Sequence, residues 1–353
     1  MTTEKGNGPR RSDTYLAAEI TAPGRVELKS LPRPSLGADE VLIEVKASAI
    51  CGSDLHLYHG KHPDAPLPSA VGHEMAGEVV ERGAAVTKVQ LGDRVVVEPI
   101  IPCGTCHYCR LGQYNRCLNV KYGYRTGRSG LAEYYVASEQ WVHHLPAELS
   151  YAEGALIEPL AVAVHAVRRA DVRLGDQVAI FGAGPIGLLT LAVSKAAGAA
   201  QVCMVDIRQD RLAVAAALGA TEVVDARLED PVEYIRQASG GIGASHSFEA
   251  VGAQGTLVSA LKVLRKGGTA TLIGIFENPQ VGLEAPIFVQ REIGLLGSSG
   301  YCWDFPTAIG LVRRRAVNLA PLITHRLPLA DVDRAFAAAV DREKLAVKVI
   351  LEP

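Results

Sequence analysis

Between Tyr15 and Leu145 the apolar residues come in short Val- and Ile-rich runs, such as "EVLIEVKASAI" (40–50), "AGEVVERG" (76–83) and "GDRVVVEPI" (92–100), punctuated by Gly, Pro and Asp. Short strands with few helical patterns between them predict a small barrel or sandwich that carries its functional groups on loops. From about Ala161 the pattern changes to strand and helix in alternation. The strand candidates are "QVAIFG" (177–182), "QVCMVDI" (201–207), "TEVVDA" (221–226), "HSFEAVG" (246–252), "TATLIGI" (269–275) and "EIGLLGSS" (292–299). Ala-rich helical segments, "GLLTLAVSKAAG" (187–198) and "DRLAVAAALG" (210–219), separate the early ones. That alternation is what a doubly wound parallel sheet requires. The tail shows helical spacing in "DFPTAIGLVRRR" and "LADVDRAFAAAV" and ends in a strand-like "KLAVKVILEP". Periodicity alone leaves open which half of the chain it joins.

The 353 residues exceed the usual single-core range, so two domains are the natural expectation. Hydrophobic residues make up 48% and charged residues 21%, an ordinary globular balance. A formal net charge of −2 points to neither nucleic acid nor an anionic membrane as partner. The longest apolar stretch, "VAIFGAGPIGLLTLAV" (178–193), is shorter than the ~20 residues of a spanning helix and is broken by Gly and Pro. The start, "MTTEKGNGPRRSDTY", lacks the apolar core of a signal peptide and reads as a frayed extension, so a cytoplasmic location is expected. In a reducing compartment a dense cysteine cluster favours metal over disulfides, and a total of seven fits poorly with complete pairing.

"GAGPIG" (182–187) matches G-x-G-x-x-G in the right setting, after a β-type run and at the opening of an apolar helix. Gly182 can make the tight turn, Gly184 can let backbone approach a pyrophosphate, and Gly187 can let helix and strand pack closely. The helix amino terminus then offers free N–H groups to the phosphates. Asp206, nineteen positions after Gly187, ends the next strand, where a carboxylate can accept both ribose hydroxyls of NAD and repel the 2′-phosphate of NADP. Arg208 and Arg211 stand close by, and Arg211 is placed to flank the adenosine.

Two sets of metal donors stand out. Cys103, Cys106, Cys109 and Cys117 form a C-x-x-C-x-x-C-x7-C array within "PCGTCHYCRLGQYNRC" (102–117). Four thiolates can satisfy tetrahedral zinc completely and leave no position for substrate, so this site is expected to brace a lobe. An iron–sulfur cluster shares the early spacing but expects a different partner pattern. The second set is dispersed: Cys51, Ser53 and His56 in "AICGSDLHLYHG" (49–60), His73 and Glu74 in "GHE", and Glu158 in "LIEPLAVAVHA" (156–166). A thiolate, an imidazole and a carboxylate make the mixed set that an open, catalytic zinc would use.

With "CGSDLH", "GHEMAGEVVERG", "GDRVVVEP", the four-Cys loop, "GALIEPLAVAVHA", "GAGPIG" and "LITHRLPL" in one order, the chain from about residue 15 resembles the zinc-dependent medium-chain dehydrogenase/reductase family, in its sorbitol (polyol) and butanediol dehydrogenase branch. The resemblance implies an α/β fold class: a GroES-like β-barrel catalytic domain (1–159, with 304–353 returning to it) and a Rossmann domain with a doubly wound parallel sheet (160–303). It implies Cys51 and His73 as ligands of a catalytic zinc, Glu74 beside that histidine, and Glu158 bound directly or through water. Cys103, Cys106, Cys109 and Cys117 match the structural zinc, giving two zinc ions per chain. NAD, rather than NADP, is the expected cofactor, held at Gly182, Gly184, Ile186, Gly187, Asp206, Arg211, Ile273, Gly274, Ile275 and Ser299.

The implied reaction is reversible oxidation of a secondary alcohol to a ketone. Ser53 would take the proton and pass it through the nicotinamide ribose to His56, whose ordinary pKa suits release near neutrality. Tyr58 and Tyr301 would line the substrate pocket. Sorbitol dehydrogenases read the polyol chain with an Arg–Tyr pair after the last Rossmann strand, but "SSGYCWDF" (298–305) has Gly300 before Tyr301. That admits smaller diols, cyclitols or a modified sugar. A threonine dehydrogenase-like activity is the near alternative, and a non-catalytic cofactor-binding structural or regulatory protein the distant one. Family members are homodimers or homotetramers.

Overall fold

The computed structural model describes residues 13–61, 66–122, 126–341 and 343–353; most of the amino-terminal segment read as an extension lies outside them. One half is built on a six-stranded sheet whose strands, from edge to edge, are Glu222–Asp225, Gln201–Asp206, Gln177–Phe181, Ala244–Glu249, Leu264–Leu272 and Gly294–Gly297. All neighbours run parallel. In chain order this is 3-2-1-4-5-6, the doubly wound arrangement, and the order reverses between Gln177–Phe181 and Ala244–Glu249. Val178, Ala179, Ile180 and Phe181 are all buried, as the middle of a sheet covered on both faces demands.

Each of the six expected strands is present, with shifted ends. The fifth begins early, at Leu264, because "RKGG", which reads as a turn, continues the strand beyond a register shift opposite Ala244–His246. The sixth begins late, at Gly294, because Glu292 closes the preceding Pro286–Arg291 helix in the left-handed conformation (φ 50°). Two further helices, Pro231–Ala238 and Gln254–Lys262, lie between the later strands. Asp230 caps the first by accepting from the Val232 N–H, with Pro231 at the first helical position.

The other half is mainly antiparallel. Its largest sheet runs Val142–His144, Arg94–Val97, Glu74–Arg82, Glu40–Ala49, Lys348–Glu352 and Ile323–Pro328, with Tyr134–Ser138 also paired to Glu40–Ala49. A smaller sheet joins Arg25–Pro32, Thr14–Ala22 and Ser69–Ala70. Ala49 faces Glu74 across one strand pair and Ile350 across the other. The last strand of the chain therefore lies beside the segment that carries Cys51.

The helix Ile157–Ala170 joins the halves. Ten of its fourteen residues are buried, and it packs on Pro185–Ala196 and Phe305–Arg313. One apolar cluster takes Ala47, Ala49 and Ala76 from the antiparallel half, Leu160 and Val164 from this helix, and Ile180 and Leu188 from the parallel half. Full burial of a Leu or Val side chain stabilises by about 1.5–3 kcal/mol, so this shared core fixes the helix firmly. No helix among the described residues is long and apolar enough to cross a membrane.

Candidate active site

Cys51 ends an extended segment and caps the helix Gly52–Tyr58. The Cys51 N–H donates to Asp54 Oδ2 at 2.9 Å, and Asp54 Oδ1 accepts from the Gly72 N–H at 3.1 Å and lies 3.7 Å from His73 Nδ1. Buried Asp54 thus ties the helix start to the turn that presents His73 and Glu74. One donor atom from each of Cys51, His73 and Glu74 lies within 4.8 Å of the others. Burial works against a charged His73 imidazole, but Cys51 and Asp54 beside it raise its pKa well above the ordinary value.

Glu74 is fully buried, and Lys348 Nζ, itself 1% exposed, lies 2.5 Å from both of its carboxylate oxygens. Burial pulls the lysine pKa down; the Glu74, Cys51 and Glu158 charges more than offset this and hold it above its usual value. Glu158, in the first turn of Ile157–Ala170, is buried outside the group of three. Its pKa is pushed up to about 7 by burial, against the pull of His73, and the hydroxyl of buried Tyr301 is hydrogen-bonded to it. Tyr301 also packs edge-on against Phe305, 5.1 Å between ring centroids.

Ser53 is half-buried in the first turn of Gly52–Tyr58. His56, one turn on, lies 4.0 Å from Glu277, a residue just beyond the Ile273–Gly274–Ile275 segment, and Glu277 also pairs with Lys61 at 2.9 Å. Burial lowers the His56 pKa, and Glu277 only partly opposes it. Tyr58 packs at a tilt against Phe336, 5.1 Å between ring centroids, beside an apolar cluster that includes Ile20, Leu57 and Val349.

The Gly-rich turn has the close approaches its glycines imply. Gly182 has φ 102°, and a Cβ on Gly187 would fall 1.8 Å from the Gly182 carbonyl oxygen. A Cβ on Gly184 would meet nothing nearer than Arg211 Nη1 at 3.9 Å, so open space lies in front of it. Gly184 caps Pro185–Ala196 without a side-chain acceptor, and Ile186 sits in its first turn. Asp206 accepts from the Ala183 N–H (2.6 Å) and from the Ile207 and Arg208 N–H groups (2.7 and 2.9 Å), which fixes its carboxylate beside the turn. Arg208 is turned onto Asp210 and the Lys344 carbonyl.

The four cysteines of the 103–117 loop bring their sulfurs together within 4.8 Å. The N–H groups of Cys106 and Cys103 point at Cys103 Sγ (3.4 Å) and Cys117 Sγ (3.2 Å), and the Asn119 N–H also reaches Cys117 Sγ (3.4 Å). Backbone donors of this kind, from Thr105 and Cys106, lower the Cys103 thiol to about 6. N–H groups aimed at sulfur favour thiolates, so the donor set suits a closed zinc site.

The loop is also fastened to the segment that carries Tyr301. Trp303 Nε1 and Cys302 Sγ donate to the Gly112 carbonyl (2.7 and 3.0 Å), the Trp303 N–H donates to Tyr114 Oη (2.7 Å), and Asn115 donates to the Ser299 carbonyl (3.0 Å). Tyr114 in turn hydrogen-bonds Glu98, which pairs with His143 at 3.1 Å. Next to this junction a cavity of about 400 Å³ opens at the carboxyl ends of Leu264–Leu272 and Gly294–Gly297. Ile273, Gly274 and Ser299 line it together with Asn115, Arg116, His165 and Arg169.

Residues 37–147 match the alcohol dehydrogenase GroES-like domain family, and residues 185–314 match the zinc-binding dehydrogenase family. The chain is 38% identical to D-arabitol-phosphate dehydrogenase of Enterococcus avium, over 97% of this chain and 99% of that one. The chain belongs to the zinc-type medium-chain dehydrogenase family. It is also 34% identical to sorbitol dehydrogenase of Ovis aries, with 96% of each chain covered. Among solved structures, 2R,3R-butanediol dehydrogenase from Bacillus subtilis superposes with a TM-score of 0.89 at 34% identity, covering 96% of this chain and 99% of that one. As a member of this family the protein is an oxidoreductase acting on CH–OH groups with a nicotinamide cofactor.

Three elements of this dehydrogenase site escape a reading of its motifs. Asp54 left one signal, its place three residues after Cys51 at a helix start, where an acidic side chain commonly caps the backbone. Lys348 left none, because a lysine in a terminal strand ordinarily faces solvent. The cationic residues Arg116 and Arg169 are 53 positions apart and meet only through the cavity.

Proposed function

We propose that this dehydrogenase oxidises a secondary alcohol of a polyol or vicinal diol to the ketone, reversibly, with NAD as hydride acceptor. The observation that carries the reading is the convergence of Cys51, His73 and buried Glu74, with donor atoms within 4.8 Å of one another, in a chain that also has open space before Gly184 of its Gly-rich turn. A thiolate, an imidazole and a carboxylate suit a zinc with one position left for substrate, whereas the four-Cys set suits a closed one, giving two zinc ions per chain. The names of the relatives, dehydrogenases of sorbitol, of a pentitol phosphate and of butanediol, support the substrate class.

Cys51 and His73 would hold the catalytic zinc. Lys348 occupies both oxygens of Glu74, which favours Glu158 as the third donor and Glu74 as a neighbour held back from it. A zinc in this site would supply Lewis acidity that eases alcohol deprotonation, and the nicotinamide would take the hydride.

Ser53, two residues beyond Cys51, is placed to receive the hydroxyl proton, and His56, one turn further towards Glu277, to carry it to solvent. With its pKa lowered by burial, His56 is neutral at physiological pH and free to accept. Asp54 holds the Cys51 and His73 segments in register, and Tyr301 orients Glu158. The Asp206 carboxylate, fixed by three backbone N–H groups, faces the ribose position, and Arg208 is committed to Asp210, which together support NAD over NADP. The chain's functional division is read as 1–159 with 304–353 for zinc and substrate, and 160–303 for cofactor. NADH formation across polyols, vicinal diols, cyclitols and threonine, with NADP as control, tests this reading. Turnover of threonine alone would replace it.

A further inference from the structure

The cavity beside the Ile273–Gly274 segment is unlike a site for a neutral polyol. Arg116 and Arg169 line it, and none of its lining residues is acidic. Neither arginine is paired with a carboxylate among the described residues. Arg116 donates only to the amide oxygen of Gln113 at 3.1 Å, and Arg169 Nε is buried without a hydrogen-bond partner. Asp304, the carboxylate held against the lining residue His165 at 2.9 Å from Nδ1, is also engaged by Arg168 at 2.6 Å. A buried guanidinium nitrogen left without an acceptor costs free energy that a bound anion would recover. Planar, forked donors suit phosphate or carboxylate.

The cavity also lies at a suitable distance from the proposed reacting centre. His165 is on the same helix as Glu158, seven residues on, which is about 10 Å along the helix axis. The far end of a substrate chain, rather than its reacting carbon, would sit there. Asn115, which donates to the Ser299 carbonyl and lies 3.4 Å from His165 Nε2, joins the cavity wall to the segment carrying Tyr301. Gly300 adds no side chain that could serve as an alternative cation next to Tyr301.

We propose that the cavity is a subsite for a terminal anionic group of the substrate, gripped by Arg116 and Arg169, so that the preferred alcohols are sugar-alcohol phosphates or sugar acids rather than free polyols. This rests on the dehydrogenase reading above. The test compares galactitol with galactitol 1-phosphate and L-iditol with L-idonate, with NAD saturating, in the wild type and in Arg116→Leu, Arg169→Gln and the double variant. Arg25→Gln, a surface arginine in another sheet, controls for loss of one positive charge. In the wild type kcat/KM for at least one anionic partner should exceed that of its neutral counterpart by ~100-fold, the phosphate and carboxylate arms telling which anion is meant. Each single variant should shrink that ratio by ~10-fold or more, and Arg25→Gln should leave it unchanged.

Calorimetric titration with galactitol 1-phosphate and L-idonate, in the presence of NAD, should show for the preferred anion a loss of affinity in the double variant of similar size. Equal use of neutral and anionic alcohols by the wild type would overturn the subsite while leaving the dehydrogenase reading intact. So would an unchanged ratio accompanied by a raised KM for NAD, which would assign the arginines to the cofactor. Absence of NADH formation from every alcohol would instead overturn the dehydrogenase reading.

Discussion

Replacing Lys348 by Met tests the buried pair in which Nζ engages both oxygens of Glu74 beside Cys51 and His73. Nζ lies 2.5 Å from both oxygens of Glu74 and 3.4 Å from the Ile50 carbonyl, with the two residues 1% and 0% exposed. At such burial the pair itself contributes little net stability, since desolvation of both charges offsets their attraction. Breaking it is another matter. Lys348→Met leaves a carboxylate buried at the inner end of the Glu74–Arg82 strand, and removal of one partner of a buried pair costs about 3–5 kcal/mol. Neutralising the stranded group in Glu74→Gln/Lys348→Met should return at least half of that, because the two changes act on one interaction and are not additive.

The assay is denaturant unfolding of the protein as isolated, comparing midpoints at equal slopes and following far-ultraviolet circular dichroism. If the single variant lies within about 1 kcal/mol of wild type, or the double variant is no better than the single, the pair does not hold Glu74 as described. The same two variants also bear on ligation. With Lys348 removed, Glu74 is free to compete as third donor, so Glu158→Gln should lose its catalytic zinc less readily in the Lys348→Met background than alone.

His56→Gln should slow NAD-dependent oxidation most between the lowered His56 pKa and about pH 8, where the wild type has a neutral imidazole and hydroxide is scarce. The deficit should close above pH 9, and below the His56 pKa, where the wild-type group is itself protonated, so a pH–rate profile parallel to wild type would remove His56 from the relay. Asp206→Asn should reduce the preference for NAD over NADP by roughly 10- to 100-fold, the worth of about 1.5–3 kcal/mol for a charge-assisted hydrogen bond, read as a ratio of kcat/KM values. Cys117→Ser should release one zinc per chain by metal analysis and lower kcat as well as thermal stability, because the loop anchors the Ser299–Trp303 segment through Gly112 and Tyr114. Full kcat in the zinc-depleted loop variant would confine the loop to a bracing role.

The fold was legible wherever a local pattern and its burial coincide. The Gln177–Phe181 and Gln201–Asp206 strands are apolar between their polar ends because both faces are covered, and the Gly-rich turn between strand and helix declares itself by three glycines, of which Gly182 and Gly187 have no room for a Cβ and Gly184 faces open space. The strand over 264–272 was less so, since its Arg265–Lys266–Gly267–Gly268 stretch has the composition of a turn and lies at the register shift between the Ala244–Leu264 and His246–Thr269 pairs. In the candidate site, Cys51, His73 and the four-Cys array carry distinctive side chains that stand out in the sequence, and the structure brings their donor atoms together in two groups. The partners that position them were not. Lys348 is 297 residues from Cys51 and reaches Glu74 only because the last strand pairs with Ala49 and Ser48, a contact no periodicity records. The closure of the loop onto Trp303 likewise joins groups about 190 positions apart, the Trp303 indole N–H to the Gly112 carbonyl and the Trp303 backbone N–H to Tyr114 Oη, which no local spacing records.

The most direct test of the central claim is a joint measurement of zinc content, NADH binding and alcohol-dependent NADH formation in the wild type and in Cys51→Ser. Two zinc ions per chain and turnover are expected in the wild type. In the variant one zinc ion, retained NADH binding and no turnover are expected. Full turnover by a Cys51→Ser protein that has lost its zinc would contradict the zinc-dependent reading.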